Sequence, residues 1–146
     1  MIQIKTFIEP KLENFNINET NLKCLVLDVL KFHNHNSAKI SIIFSTYQIL
    51  NDLKIKFFNL DYLTDVIAFN LNDVKENIEG EIYISPEIAK KNAKKFNNSF
   101  DNEIKRLIIH GSLHLIGYLD DTKNQKSKMN NIENKFLKNN VLELIC

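Results

Sequence analysis

Apolar and polar residues alternate through Ile2, Gln3, Ile4, Lys5, Thr6, Phe7 and Ile8, the period-two pattern of a half-buried strand. From Asn18 to about His33 the apolar set Leu22, Leu25, Val26, Leu27, Val29 and Leu30 recurs at helical spacing, with Asn18 or Thr20 as candidate N-caps. Residues 38–44, AKISIIF, are apolar and rich in β-branched side chains, which predicts a buried strand, after which Ser45 or Thr46 caps a helix to about Phe57. Residues 64–69, TDVIAF, and 80–85, GEIYIS, predict two more strands, joined by a polar segment that carries Asp73, Glu76 and Glu79. Ser85 and Pro86 open a helix to about Phe96, the proline sitting where a first-turn residue has no intrahelical donor to lose. The segment NNSFDNE separates it from a long helix over about 101–117, and a last, polar helix covers about 123–138. The order of elements points to an α+β or α/β layer, and the reading we carry forward is α+β: a small mixed β-sheet packed against helices.

Length and composition narrow what a motif in this chain can mean. With 146 residues, 44% of them hydrophobic, the chain suits a single domain spanning 1–146 that buries roughly 70% of its unfolded surface. The start lacks a basic region followed by a continuous apolar run, and no stretch approaches the roughly 20 apolar residues of a membrane span. Cys24 and Cys146 make neither a disulfide framework nor a metal-binding pair, so a soluble protein in a reducing cytoplasm is the expected setting. Arg106 is the only arginine among 19 basic residues, a skew that suits an AT-rich genome. The formal net charge of +1 neither supports nor excludes a nucleic-acid partner, because phosphate binding depends on a local patch.

The chemistry concentrates in residues 110–121, HGSLHLIGYLDD. Positions i and i+4 of a helix share a face, so His110 and His114 can reach one ion, although such a pair also arises as satisfied polar groups of a core helix. The surroundings favour the ion. Gly117 can end the helix in a left-handed conformation and let the chain turn back, and Asp120 follows three residues later. The spacing His110, His114, Gly117, Asp120 is that of the metzincin pattern with aspartate in third place. Two imidazoles and one carboxylate leave a fourth position open, as catalytic zinc sites do. A His-Glu-x-x-His peptidase would carry its general base beside the first histidine, where this chain has Gly111; Asp121 or Glu133 would have to replace it.

With Met129 and Glu133 downstream, and DYLTDVIAF (61–69) and GEIYIS (80–85) upstream in the same order, this segment resembles the YbeY family of single-strand-specific endoribonucleases, across about residues 38–138. The resemblance implies a zincin-like helix holding one Zn2+ through His110, His114 and Asp120. It also implies a role in 16S rRNA 3′-end processing, ribosome maturation and quality control, with single-stranded RNA, rRNA precursors and the ribosomal subunit as partners, and neither DNA nor membrane among them. Two departures from the commonest family pattern stand out. Leu119 and Asp120 occupy places usually held by aspartate and histidine, and an aspartate ligand makes the site less positive, so that a bound water is harder to deprotonate. Phe58 and Lys54 fall where many members have arginine and asparagine, which changes the surface expected to meet substrate.

The remaining candidates carry paired readings. Arg106 lies one turn before His110 and could hold a phosphate, or form a surface ion pair; Arg106 and Lys54 are the expected RNA contacts. Lys90, Lys91, Lys94 and Lys95 could track an RNA backbone, or simply face solvent. Met129 could floor the metal or pack in the core, and Thr64 and Asp65 could orient a ligand histidine or cap a strand. No residue is identified as general base, and the attacking group, water or the ribose 2′-hydroxyl, stays open. The alternatives in other classes are a zinc metallopeptidase and a non-catalytic ribosome-associated factor with a structural metal.

Overall fold

The computed structural model describes residues 1–72 and 77–146; Asp73 and Glu76 of the acidic segment lie outside the described residues. The fold is α+β. Strands β1 (Ile2–Ile8), β2 (Ala38–Phe44), β3 (Val66–Asn70) and β4 (Ile78–Ile84) form one sheet in the order β1-β2-β4-β3, with β3 antiparallel and the other pairs parallel. Helices are α1 (Glu19–Phe32), α2 (Tyr47–Phe58), α3 (Pro86–Lys95), α4 (Phe100–Ile116) and α5 (Lys123–Asn139).

Alternation along the strands builds the core. In β2, Ala38, Ile40, Ile42 and Phe44 are buried, and the parallel register sets them beside Ile78, Gly80, Ile82 and Ile84 of β4. Helix α4 packs on β3 and β4 and touches α1, α3 and α5. It therefore buries most of its surface, including Ile104, Ile108, Ile109 and Leu113. Its close approach uses two positions without a side chain. A Cβ on Gly80 would stand 2.5 Å from Leu115 Cδ2, and one on Gly111 would stand 2.7 Å from Ile82 Cγ2.

Asn18, Thr46, Ser85, Ser99 and Thr122 each cap a helix through a side-chain oxygen that accepts a backbone N–H, which resolves the two paired cap expectations to Asn18 and Thr46. Strand β3 begins two residues later than the apolar run suggests, because pairing opens at Val66 and Ile84. Strand β4 begins two residues earlier, at Ile78 opposite Ala38, and stops at Ile84 because Ser85 serves as the cap of α3.

Candidate metal centre

Helix α4 ends where the site begins. Gly117 has φ 123°, a conformation that a side chain would strain, and its N–H and that of Tyr118 bond back to Leu113 O. Five residues later Thr122 starts α5 with a capping box, in which Gln125 Oε1 accepts the N–H of both Asp121 and Thr122. Asp120 thus rides on a short turn fixed at both ends. Its Oδ2 lies 3.4 Å from His110 Nε2 and 3.3 Å from His114 Nε2, and the two Nε2 atoms are 3.1 Å apart. These three side chains form a compact group able to hold a metal ion, as the spacing of the motif predicts.

The outer ring nitrogens determine what the inner ones can do. His110 Nδ1 donates to Glu133 Oε2 at 2.7 Å, and His114 Nδ1 donates to the Tyr118 carbonyl at 3.0 Å. A carboxylate and a carbonyl only accept, so both Nδ1 atoms carry hydrogen. In the neutral rings both Nε2 atoms then hold bare lone pairs, directed at one another and at a carboxylate oxygen. Only a cation, either a proton or a metal, reconciles the three acceptors. Burial pushes the His110 imidazole down, but the hydrogen bond and charge of Glu133, with the charges of Asp120 and Asp65, outweigh it and hold His110 above its ordinary value. The site attracts positive charge, for which a metal ion and a proton compete.

Glu133 is itself held in place. It is buried on α5, and its Oε1 accepts from Arg106 at 2.9 Å, while the other guanidinium nitrogen donates to Asn134 at 2.7 Å. On the opposite side His33 Nδ1 donates to Val29 O at 2.7 Å, which leaves Nε2 to accept from the Tyr118 hydroxyl at 2.9 Å. Tyr118 is therefore fixed at its ring as well as at its backbone. Thr64 and Asp65, considered above as partners for a ligand histidine, are occupied elsewhere. Thr64 Oγ1 donates to Val66 O, and Asp65 accepts from Asn92 of α3. Glu133 and Tyr118 take the orienting role, and His33 and the Tyr118 carbonyl carry no spacing signal by which a sequence would disclose them.

His110, His114 and Asp120 line a cleft together with Lys54, Phe58 and Tyr62 from the α2 side, Thr64 and Asp65 just before β3, Val66, Ile67 and Ala68 of β3, and Asp121. Lys54 reaches this cleft; Arg106 does not line it, and faces a separate groove with Asn98 and Asn134. None of Lys90, Lys91, Lys94 and Lys95 lines it, and Lys90 instead faces Phe15 and Phe100. Met129 belongs to the hydrophobic core.

A sequence model of the Endoribonuclease YbeY family matches residues 7–140. The chain belongs to this family. Among curated relatives, the Endoribonuclease YbeY of Karelsulcia muelleri is 35% identical over 134 residues, 92% of this chain and 93% of that protein. The Endoribonuclease YbeY of Chloroherpeton thalassium is 38% identical over 109 residues, 75% and 77% of the two chains. The solution structure of TM1509 from Thermotoga maritima matches with a TM-score of 0.64 at 30% identity, over 94% of this chain and 87% of that one. YbeY proteins are hydrolases acting on RNA.

Proposed function

We propose that this protein is a zinc-dependent endoribonuclease that cuts single-stranded RNA at the cleft headed by His110, His114 and Asp120. One observation carries the reading: three donor side chains able to hold a metal ion converge in an open cleft that is also lined by a lysine and two aromatic rings. The donor chemistry fits zinc, which accepts imidazole and carboxylate together. The separations among the three donor atoms are 3.1, 3.3 and 3.4 Å. When bound, the ion supplies Lewis acidity toward a phosphoryl oxygen or a water molecule. Glu133 and the Tyr118 carbonyl keep the imidazoles in the tautomer that binds metal, and Lys54 offers positive charge to the RNA phosphates. Arg106, set one turn before His110, acts on the reaction through Glu133.

The substrate we infer from family membership is the 3′ end of the 16S rRNA precursor, met on the ribosomal subunit in the cytoplasm. Among the described residues, no helix is long and apolar enough to cross a membrane. A peptidase is disfavoured by position 111, where a glutamate would run into Ile82 of the sheet. The test is cleavage of an end-labelled single-stranded RNA by wild type, by His114→Ala from the same preparation, and by a chelated sample restored with zinc. Loss in the variant and recovery with zinc is the expected result; equal cutting by all samples would overturn the proposal. A 2′,3′-cyclic phosphate on the product would assign the attack to the ribose hydroxyl instead of water.

A further inference from the structure

The cleft presents an unusual balance of groups for a surface that meets nucleic acid. Among the described residues, Lys54 is the one lysine or arginine lining it, against the carboxylates of Asp65, Asp120 and Asp121. Apart from an ion held at Asp120, the side chains there offer RNA phosphates little attraction, so contacts other than charge have a part to play in adhesion. The aromatic residues are the remaining candidates. Phe58 and Tyr62 line the same cleft and are 44% and 51% exposed, although burial of rings this size is strongly favoured. The Phe58 ring is backed by Phe69 of β3 in a stacked pair with centroids 5.7 Å apart and planes 23° apart; Phe69 in turn meets Tyr83 edge-on. Phe58 is thus a supported platform. The Lys54 ammonium stands 5.5 Å from the Phe58 centroid and 5.0 Å from that of Tyr62. A lysine lying over rings in the free protein can turn to a phosphate when a flat group takes its place, because cation–π contacts at exposed sites are weak.

We propose that Phe58 and Tyr62 form a base-stacking subsite of this cleft, with Lys54 moving from the rings to the adjoining phosphate, so that unstacked bases of single-stranded RNA are selected beside the metal ligands. The inference rests on the cleft being the RNA site, as proposed above. Every base has a π-face, so the subsite accepts any sequence but excludes a duplex, whose bases are already stacked.

Binding, measured apart from cutting, tests it. Fluorescence anisotropy with zinc-loaded protein would compare a short single-stranded RNA, its duplex, and an oligonucleotide of equal length and charge carrying abasic sites. Phe58→Leu and Tyr62→Leu should each weaken single-strand binding at least about fivefold, and Phe58→Trp should restore it. The abasic oligonucleotide should bind wild type about as poorly as the ordinary strand binds the double variant. Leucine variants that bind like wild type, or an abasic strand that binds like the intact one, would each overturn the subsite. If wild type binds the strand with these signatures but does not cut it, the nuclease reading fails and the stacking subsite stands. If wild type does not bind it, both fail.

Discussion

Replacing Glu133 with glutamine tests whether the metal centre depends on a residue that touches no metal. The carboxylate serves two donors, His110 Nδ1 at 2.7 Å and the Arg106 guanidinium at 2.9 Å, and it is buried. A glutamine has one acceptor oxygen and one NH2 group, so only one of the two donors can be satisfied. If NH2 faced His110, the imidazole proton would have to move to Nε2, and the lone pair offered to metal would be lost. The oxygen should therefore turn to His110, while the partly exposed Arg106 withdraws to Asn134. What is lost is the charge on the hydrogen bond that orients His110, and losses of this kind cost about 10–100-fold in metal affinity. At a zinc concentration 100 times the wild-type Kd, metal stabilises the wild type by about 2.7 kcal/mol. A variant with 30-fold weaker affinity would gain only about 0.9 kcal/mol at the same concentration. Competition with a chromophoric chelator gives the affinity, and thermal melts with and without zinc give the stability difference. Wild-type affinity in Glu133→Gln, with Asp120→Asn clearly weakened, would refute the orienting role.

Asp120→Asn should weaken zinc binding about 10-fold or more in the same competition assay, whereas Asp121→Asn should change it little, because only Asp120 stands within ligand distance of both histidines. Gly80→Ala should lower stability by about 1–3 kcal/mol in urea unfolding, since the new Cβ would lie 2.5 Å from Leu115 Cδ2 and 2.7 Å from the backbone oxygen of Phe69. Glu103 is buried, and burial raises its carboxyl above the ordinary value, the hydrogen bond from Asn98 opposing this only in part. A raised carboxyl favours the folded state below its unfolded value, and this contribution is lost as pH rises through the folded value. Glu103→Gln should therefore melt higher than wild type near pH 7, with the difference closing toward about pH 4.

The fold was legible where local pattern and tertiary environment agree. Ile2–Ile8 and Ala38–Phe44 match the alternation and the β-branched run residue for residue, and the caps at Ser85 and Thr46 end up where their side chains have backbone partners. The edges of β3 and β4 were misplaced because pairing decides them, and no local pattern in the chain says that Ile78 will face Ala38 or that Ser85 will leave the ladder for a helix. Sheet order is likewise a long-range property. Gly80 and Gly111 show the same limit, since each looks like a local weakness until α4 and the sheet are set against one another.

The site divides along a similar line. Its ligands are close in sequence, one helical turn and one glycine turn apart, so helix periodicity was enough to bring them together. Their supports are remote: Glu133 lies 23 residues beyond His110, and His33 lies 85 residues before the Tyr118 that it holds. Those contacts exist only when α1 and α5 have packed on α4. A peptide carrying residues 110–121 alone would keep both histidines, Asp120 and the Tyr118 carbonyl, yet it would lose Glu133, which holds the His110 proton on Nδ1, and His33, which holds the Tyr118 ring, so the tautomer that leaves both Nε2 atoms free would be one of several. Metal affinity in this protein is accordingly a property of the packed domain: whatever loosens α5 from α4 should release the ion, and bound ion should in return hold α5 in place.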